Sequence, residues 1–179
     1  SILVADLDLK ELKFEKFFTP DLCLDKSFKD FASWSSGGRM FPFKDDQILF
    51  THGEYQFIDH AQNKNNLFGK IISIDTITKK FEMISMGHRN PQGLNYDADE
   101  NIIFITEHGP TGGDEINLNI SPDGEIKNYG WPISSYGVIN EAHTFYKSHK
   151  DHGFIEPLKY VTPSTAPSEV IKIPFEYNK

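Results

Sequence analysis

Gly38-Arg39-Met40-Phe41-Pro42-Phe43 runs through Lys44-Asp45-Asp46 into Gln47-Ile48-Leu49-Phe50-Thr51 and then His52-Gly53-Glu54. About 55 residues later the pattern returns. Gly93-Leu94-Asn95-Tyr96 runs through Asp97-Ala98-Asp99-Glu100 into Asn101-Ile102-Ile103-Phe104-Ile105-Thr106 and then Glu107-His108-Gly109. Each copy reads as strand, acidic turn, strand and Gly-containing loop, because short β-branched and aromatic runs bounded by Gly, Asn and Asp fit a pleated ladder and its turns. A repeat of this length suits a propeller blade with insertions better than a tight solenoid. Between the copies, Ile71 to Ile74, a polar loop over 75–80 and Phe81 to Ile84 read as a hairpin. A third copy is expected to begin at Pro167-Ser168-Glu169-Val170-Ile171.

Helical periodicity is weak, and the best short helix is Lys26 to Phe31. The chain opens in what reads as mid-strand (Ile2-Leu3-Val4-Ala5) and begins with Ser1. The expected fold is therefore all-β: one domain over 1–179, incomplete at both ends. It would hold two full blades of four-stranded antiparallel sheet and parts of two others, about three blades' worth. Propellers remove exposed strand edges by closing, so such a fragment is expected to fold poorly alone.

Composition narrows the function. A formal charge of -8 argues against a nucleic-acid partner, which needs a concentrated basic face. No apolar run approaches the roughly 20 residues of a membrane span. Cys23 is the single cysteine, so neither a disulfide nor a Cys-based zinc site forms within the chain; it reads as a small buried or half-buried residue. Arg39 and Arg89 are the only arginines among eighteen Lys and Arg residues. Both stand where apolar strands meet Gly-rich loops, and a planar bidentate donor is not replaceable by Lys.

Propeller loops at one end ring the central channel and collect functional groups. Gly87-His88-Arg89-Asn90-Pro91-Gln92-Gly93 offers a guanidinium and two amides suited to an oxygen-rich anion. The stretch from Glu107 to Glu115 combines carboxylates with Gly-rich backbone, whose exposed carbonyls suit a hard cation such as calcium. Arg89 paired to a surface acid, with glycines that only make turns, fits the same spacing. His143, His149 and His152 share a polar loop but lack metal-site spacing and read as solvated. Asn119-Ile120-Ser121 fits a glycosylation sequon of a kind common by chance.

The GHRNPQG loop (87–93), EHGP (107–110), DEIN (114–117) and NYGWP (128–132) occur together and in order. This set resembles the soluble PQQ-dependent aldose and glucose dehydrogenases, the glucose/sorbosone dehydrogenase family, over most of Leu12 to Ile171. The resemblance implies a six-bladed propeller that oxidises a sugar at its anomeric carbon. Hydride would pass to PQQ and electrons onward to a separate acceptor, in a periplasmic or secreted protein. It further implies that Arg89, Asn90 and Gln92 contact cofactor and substrate. The carbonyls of Gly109 and Pro110 would hold the calcium that holds PQQ, and Glu115 and Tyr129 a second, structural calcium. Trp131 and Pro132 would only pack. One departure stands out: the family's general-base histidine falls on Ser35, and the acid that orients it becomes Glu54, one methylene longer than aspartate. Serine is a poor base near neutral pH. His52, two residues before Glu54, reads as structural or solvated. A non-catalytic propeller of the same descent, binding a ligand or protein, is thus the alternative.

Overall fold

A computed structural model describes residues 1–8, 10–25, 27, 29, 31–139, 145–174 and 177. Almost every element in it is a strand: β1 (Ile2–Val4), β2 (Glu15–Phe18), β3 (Gly37–Phe43), β4 (Gln47–His52), β5 (Lys70–Asp75), β6 (Phe81–Met86), β7 (Pro91–Asp97), β8 (Ile102–Glu107), β9 (Asp114–Asn119), β10 (Lys127–Asn128) and β11 (Lys159–Val161). Two single-turn 3-10 helices, Ile58–Gln62 and Lys150–His152, interrupt the loops. The strands form two blade-like sheets, ordered β10-β6-β5-β4-β3 and β11-β9-β8-β7, with β1-β2 as a separate pair. The architecture is that of an open, partial β-propeller, with the innermost strands β3 and β7 side by side.

The repeated motif and its acidic turns are the reason. Phe43 pairs with Gln47 across Lys44-Asp45-Asp46, and Asp97 with Ile102 across the second turn. Asp46 and Asn101 take the positive φ that closes each turn, at 55° and 53°, a conformation that short polar side chains tolerate best after glycine. The hairpin read between the copies is β5-β6. Strand alternation then sorts the apolar residues. Leu49 and Ile71 join Leu94, Ile103, Ile105 and Tyr129 between the two sheets, while Ile72 and Ile74 face Ile2 and Phe18 on the β1-β2 side. Full burial of one such aliphatic side chain is worth about 1.5–3 kcal/mol.

Several sequence readings need correction. Pro167–Ile171 forms no strand; its backbone instead lies against the inner strands, accepting bonds from Thr106 Oγ1 at Pro167 O and from Arg39 Nη2 at Ser168 O. The first sheet also gains a parallel strand at its outer edge, β10 on β6, which the antiparallel reading lacks. Cys23 is exposed rather than buried. The helix expected over 26–31 lies partly outside the described residues, and Ser27 and Lys29 within it are in turns. Asn119 is buried, so its amide is closed to glycosylation.

Lys70 opens β5 yet is fully buried. Its ammonium donates to the carbonyls of His60, Ala61 and Phe68 at 2.9, 3.0 and 2.6 Å. Burial lowers its pKa to about 8, whereas three carbonyl acceptors favour the charged form. The lysine thereby pins the 3-10 turn, from which Gln62 Nε2 reaches Asn128 Oδ1 and Trp131 O at 3.1 and 2.6 Å. Core packing is in this way linked to the loop that lies under the candidate site.

Candidate functional site

One rim of the two sheets carries the loops of interest: the starts of β3 and β7 and the ends of β4 and β8. Three backbone bonds knit the loop over 32–36 to 53–55, Ala32 N to Tyr55 O, Gly53 N to Ser36 O and Tyr55 N to Ser35 O, and Ser35 N to Ala32 O closes the loop on itself. A Cβ on Gly53 would stand 2.1 Å from Ser35 O, so only glycine allows this approach. Glu54 N in turn donates to Arg89 O at 3.0 Å, joining the first repeat to the GHRNPQG loop. Gly87, at φ 73°, lies against the NYGWP segment, where a Cβ would meet Asn128 Oδ1 at 2.2 Å. Tyr129 N and Trp131 N donate to Met86 O and Gly87 O.

The structure brings Ser35, Glu54, Arg89, Asn90 and Gln92 together. Ser35 Oγ donates to Glu54 Oε1 at 2.9 Å, with both residues sealed from solvent. Glu54 Oε2 has no hydrogen-bond partner. Burial raises the Glu54 carboxyl's pKa, and the Ser35 hydroxyl and the Arg89 charge only partly offset this. A carboxyl whose pKa rises on folding stabilises the native state below the unfolded value of 4.5. That contribution disappears as pH climbs through the raised folded value. Glu54→Gln should therefore melt at a higher temperature than wild type at pH 7, with the gap closing as pH falls from the raised folded value to 4.5; an equal Tm at pH 7 would show that Glu54 is ionised without cost.

Arg89 is half-buried, and its Nη1 donates to the carbonyls of His108 and Gly109 at 3.1 and 2.9 Å. Burial draws its pKa down while Glu54, Glu107 and Asp114 support the charge. Among the described residues only Nη1 is spent on protein acceptors, which leaves the other guanidinium N–H groups for a ligand. Its carbon lies 5.8 Å from the ring of Trp34 and 5.5 Å from that of Trp131, within cation–π range. Asn90 is turned to bracing: Oδ1 accepts from Gly37 N and Gln92 Nε2, and Nδ2 donates to Trp34 O. Gln92 O takes Arg39 Nε at 3.0 Å, and Arg39 also pairs with Glu169 at 2.9 Å. The two arginines therefore have different duties, Arg39 stitching inner segments together and Arg89 facing the site.

Gly109 and Pro110 sit in a turn closed by Gly113 N donating to Pro110 O at 2.9 Å. Each of the two carbonyls has one hydrogen bond and a second lone pair available. Beside the turn lies a small, nearly filled cleft lined by Arg89, Glu107, Glu115, Tyr129, Trp131 and Ser134. Glu107 and Glu115 are register partners on β8 and β9 and both are buried. Like charges directly opposite destabilise a sheet unless something compensates. Asn117 Nδ2 donates to both, at 2.9 and 3.2 Å. Burial and the Glu107 charge push the Glu115 carboxyl well above its ordinary pKa. Burial would also raise Glu107, but His88, Arg89 N–H and Asn117 outweigh it and hold that carboxyl low. Ser134 Oγ is an orphaned buried atom here, and His149 Nε2 lies 3.5 Å from Glu115 Oε1 without a proper hydrogen bond. This donor set of paired carboxylates, a hydroxyl and turn carbonyls fits a hard cation. Among the described residues, no group of three or more His, Cys, Asp or Glu is arranged to hold a metal. Tyr129 contributes no free hydroxyl to the cleft, since it donates to Leu118 O at 2.8 Å.

Sequence reasoning missed the connector. Ser85 Oγ lies 2.7 Å from His88 Nε2, His88 Nδ1 lies 3.0 Å from Glu107 Oε1, and Glu107 Oε2 accepts Arg89 N at 2.9 Å. Tyr129 stacks on His88 with centroids 4.7 Å apart. The chain looks like a hydrolytic triad, but Ser85 and His88 are sealed, so it fastens the GHRNPQG loop to the EHGP loop. His52 is structural: it is buried, its pKa is lowered to about 4 by that burial, and its ring packs on Phe50, Tyr55 and Phe68. His149 is buried against Tyr136 rather than solvated, whereas His152 is exposed and stacks on Tyr146; His143 lies outside the described residues.

Comparison with known proteins gives the family. The signature of the Glucose / Sorbosone dehydrogenase family matches residues 21–176. The aldose sugar dehydrogenase YliI of Escherichia coli is 34% identical over 115 residues, covering 57% of this chain and 30% of that protein. The crystal structure of the soluble aldose sugar dehydrogenase from Escherichia coli in its apo form superposes with a TM-score of 0.67 at 26% identity, over 87% of this chain and 46% of that one. The PQQ-bound aldose sugar dehydrogenase of Streptomyces coelicolor superposes with a TM-score of 0.56 at 26% identity, over 75% and 38%. The chain thus spans less than half the length of these relatives. By the match over residues 21–176 and the shared sheets, it belongs to the glucose/sorbosone dehydrogenase family.

Proposed function

We propose that the protein oxidises an aldose at its anomeric carbon, using PQQ held with calcium, within a single propeller domain to which residues 1–179 contribute. The observation that carries this reading is the meeting, at one rim, of a half-buried guanidinium with uncommitted N–H groups and the Gly109–Pro110 carbonyl turn. When bound, PQQ supplies a hydride-accepting quinone and calcium the polarising charge. Arg89 and the Gln92 amide would bind the oxygens of cofactor and sugar, while Asn90 would hold both in register. Glu115, with the Tyr129 segment behind it, would serve a second calcium. Ser35 with Glu54 would occupy the acid–base position at the hydroxyl whose proton must leave as the C1 hydride is accepted, and a separate acceptor would receive the two electrons. The relatives named as aldose sugar dehydrogenases and the PQQ-bound neighbour support this assignment, and with it a periplasmic or secreted location. Among the described residues no helix is long and apolar enough to cross a membrane.

A second reading, a propeller that binds a ligand or protein without turnover, is favoured by the sealed Ser35–Glu54 pair. In this conformation the Ser35 hydroxyl is closed to solvent and spent on Glu54. Titrating PQQ into the intact protein with and without calcium, then adding aldoses and a dye acceptor, separates the two. Saturable, calcium-dependent binding with dye reduction is expected for the dehydrogenase. Binding without dye reduction would leave the second reading, and no PQQ binding would sink the cofactor assignment.

A further inference from the structure

Trp34 is 63% exposed, yet it is not on a loose loop. Its turn is fixed by the three backbone bonds between 32–36 and 53–55, and its own carbonyl accepts Asn90 Nδ2 at 3.3 Å. The indole therefore stands in a defined place at the rim, 5.8 Å from the Arg89 guanidinium carbon. Trp131, the other tryptophan beside that guanidinium, is buried and packs on Phe145 and Ala61. An aromatic face left in water beside a half-buried cation is what a ring-shaped, oxygen-rimmed ligand would cover. Residue 34 also directly precedes Ser35, which the family resemblance puts against the hydroxyl to be oxidised.

We propose that Trp34 is a substrate-contact residue whose exposed indole face stacks on the C–H face of an aldopyranose ring, with Arg89 and Gln92 taking the ring oxygens. This rests on the dehydrogenase reading for its choice of ligand. A sugar suits the position better than the quinone, because Trp34 stands at the solvent-exposed rim, whereas Arg89 and the Gly109–Pro110 turn line the closed cleft.

The test uses the intact protein and 1-deoxy-D-glucose, which lacks the hydroxyl that would be oxidised, so binding is read by calorimetry and tryptophan emission rather than by activity. In PQQ- and calcium-loaded protein, Trp34→Ala should weaken the sugar about tenfold, and Trp34→Phe should recover most of that loss. PQQ affinity and Tm should stay unchanged, as expected for an exposed side chain, and the sugar-induced emission change should vanish in Trp34→Phe. Unchanged sugar affinity in Trp34→Ala would overturn the proposal. So would a loss of PQQ affinity with sugar unaffected, which would hand the indole to the cofactor, or a fall in Tm, which would mean that it packs under protein. Should wild type take up no PQQ, the dehydrogenase reading fails by itself. The same sugar is then titrated into cofactor-free protein: Trp34-dependent binding supports the contact and no binding overturns it.

Discussion

Arg89→Ala is expected to abolish measurable PQQ binding in the calcium-supplemented titration, and Arg89→Lys to weaken it on the order of a hundredfold. The magnitude follows from the position of the group. Charge-assisted hydrogen bonds are worth about 1.5–3 kcal/mol each, and removing one partner of a buried charged pair costs about 2–5 kcal/mol. Arg89 presents a planar fork whose Nη1 is anchored on His108 O and Gly109 O, which leaves the rest of the guanidinium already oriented. A lysine ammonium has three donors around one atom. Satisfying the same two carbonyls would leave it one donor and no fixed plane. The substitution should cost little in folding, because the Arg89 backbone is held independently by Glu107 Oε2 on its N–H and Glu54 N on its carbonyl. A normal Tm with lost PQQ binding is thus the expected signature. Wild-type PQQ affinity in Arg89→Ala would remove this residue from the cofactor site.

The same residues show what a sequence can and cannot disclose. Both hairpin repeats were legible because alternation and acidic turns are local: Phe41 to Leu49 and Tyr96 to Ile103 are paired only a few residues apart. The rim loops were legible as motifs. Their wiring was not. His88 meets Glu107 nineteen residues away and Asn90 meets Gly37 fifty-three residues away, and neither contact leaves a periodic trace in the chain. Nothing in the sequence marks Lys70 for burial, and only the three carbonyls gathered around it explain that burial. Trp34, in a Ser-rich stretch, gave no pattern at all, although its neighbour Ser35 was singled out. Pro167–Ile171 shows the reverse failure. Its composition copies the opening of a repeat, but a strand is defined by its partners, and here that backbone is spent on Arg39 and Thr106.

Turnover should rise about 10²- to 10⁴-fold in the double variant Ser35→His/Glu54→Asp, the range that a positioned general base supplies, and much less in Ser35→His alone. The structure gives the reason for pairing the changes. Ser35 and Glu54 form a short–long couple, the extra methylene of the glutamate spanning what the serine lacks, and together they fill a sealed space. Inserting an imidazole there while Glu54 keeps its length overpacks the site, at about 1–3 kcal/mol. The added volume also acts against Gly53, whose backbone already lies in close contact with Ser35. Shortening Glu54 to aspartate returns the methylene and leaves a carboxylate to accept the imidazole N–H. That bond would fix the tautomer with the other nitrogen directed at the sugar hydroxyl. The same exchange shifts the electrostatics favourably: an imidazolium formed during turnover gains a partner in a carboxyl that burial now disfavours as the anion. Initial rates at saturating PQQ, calcium and aldose, with Tm measured for each variant, decide the matter. A double variant that binds PQQ and folds like wild type but turns over no faster would mean that the base lies elsewhere, or that this rim evolved to hold its ligand rather than to oxidise it.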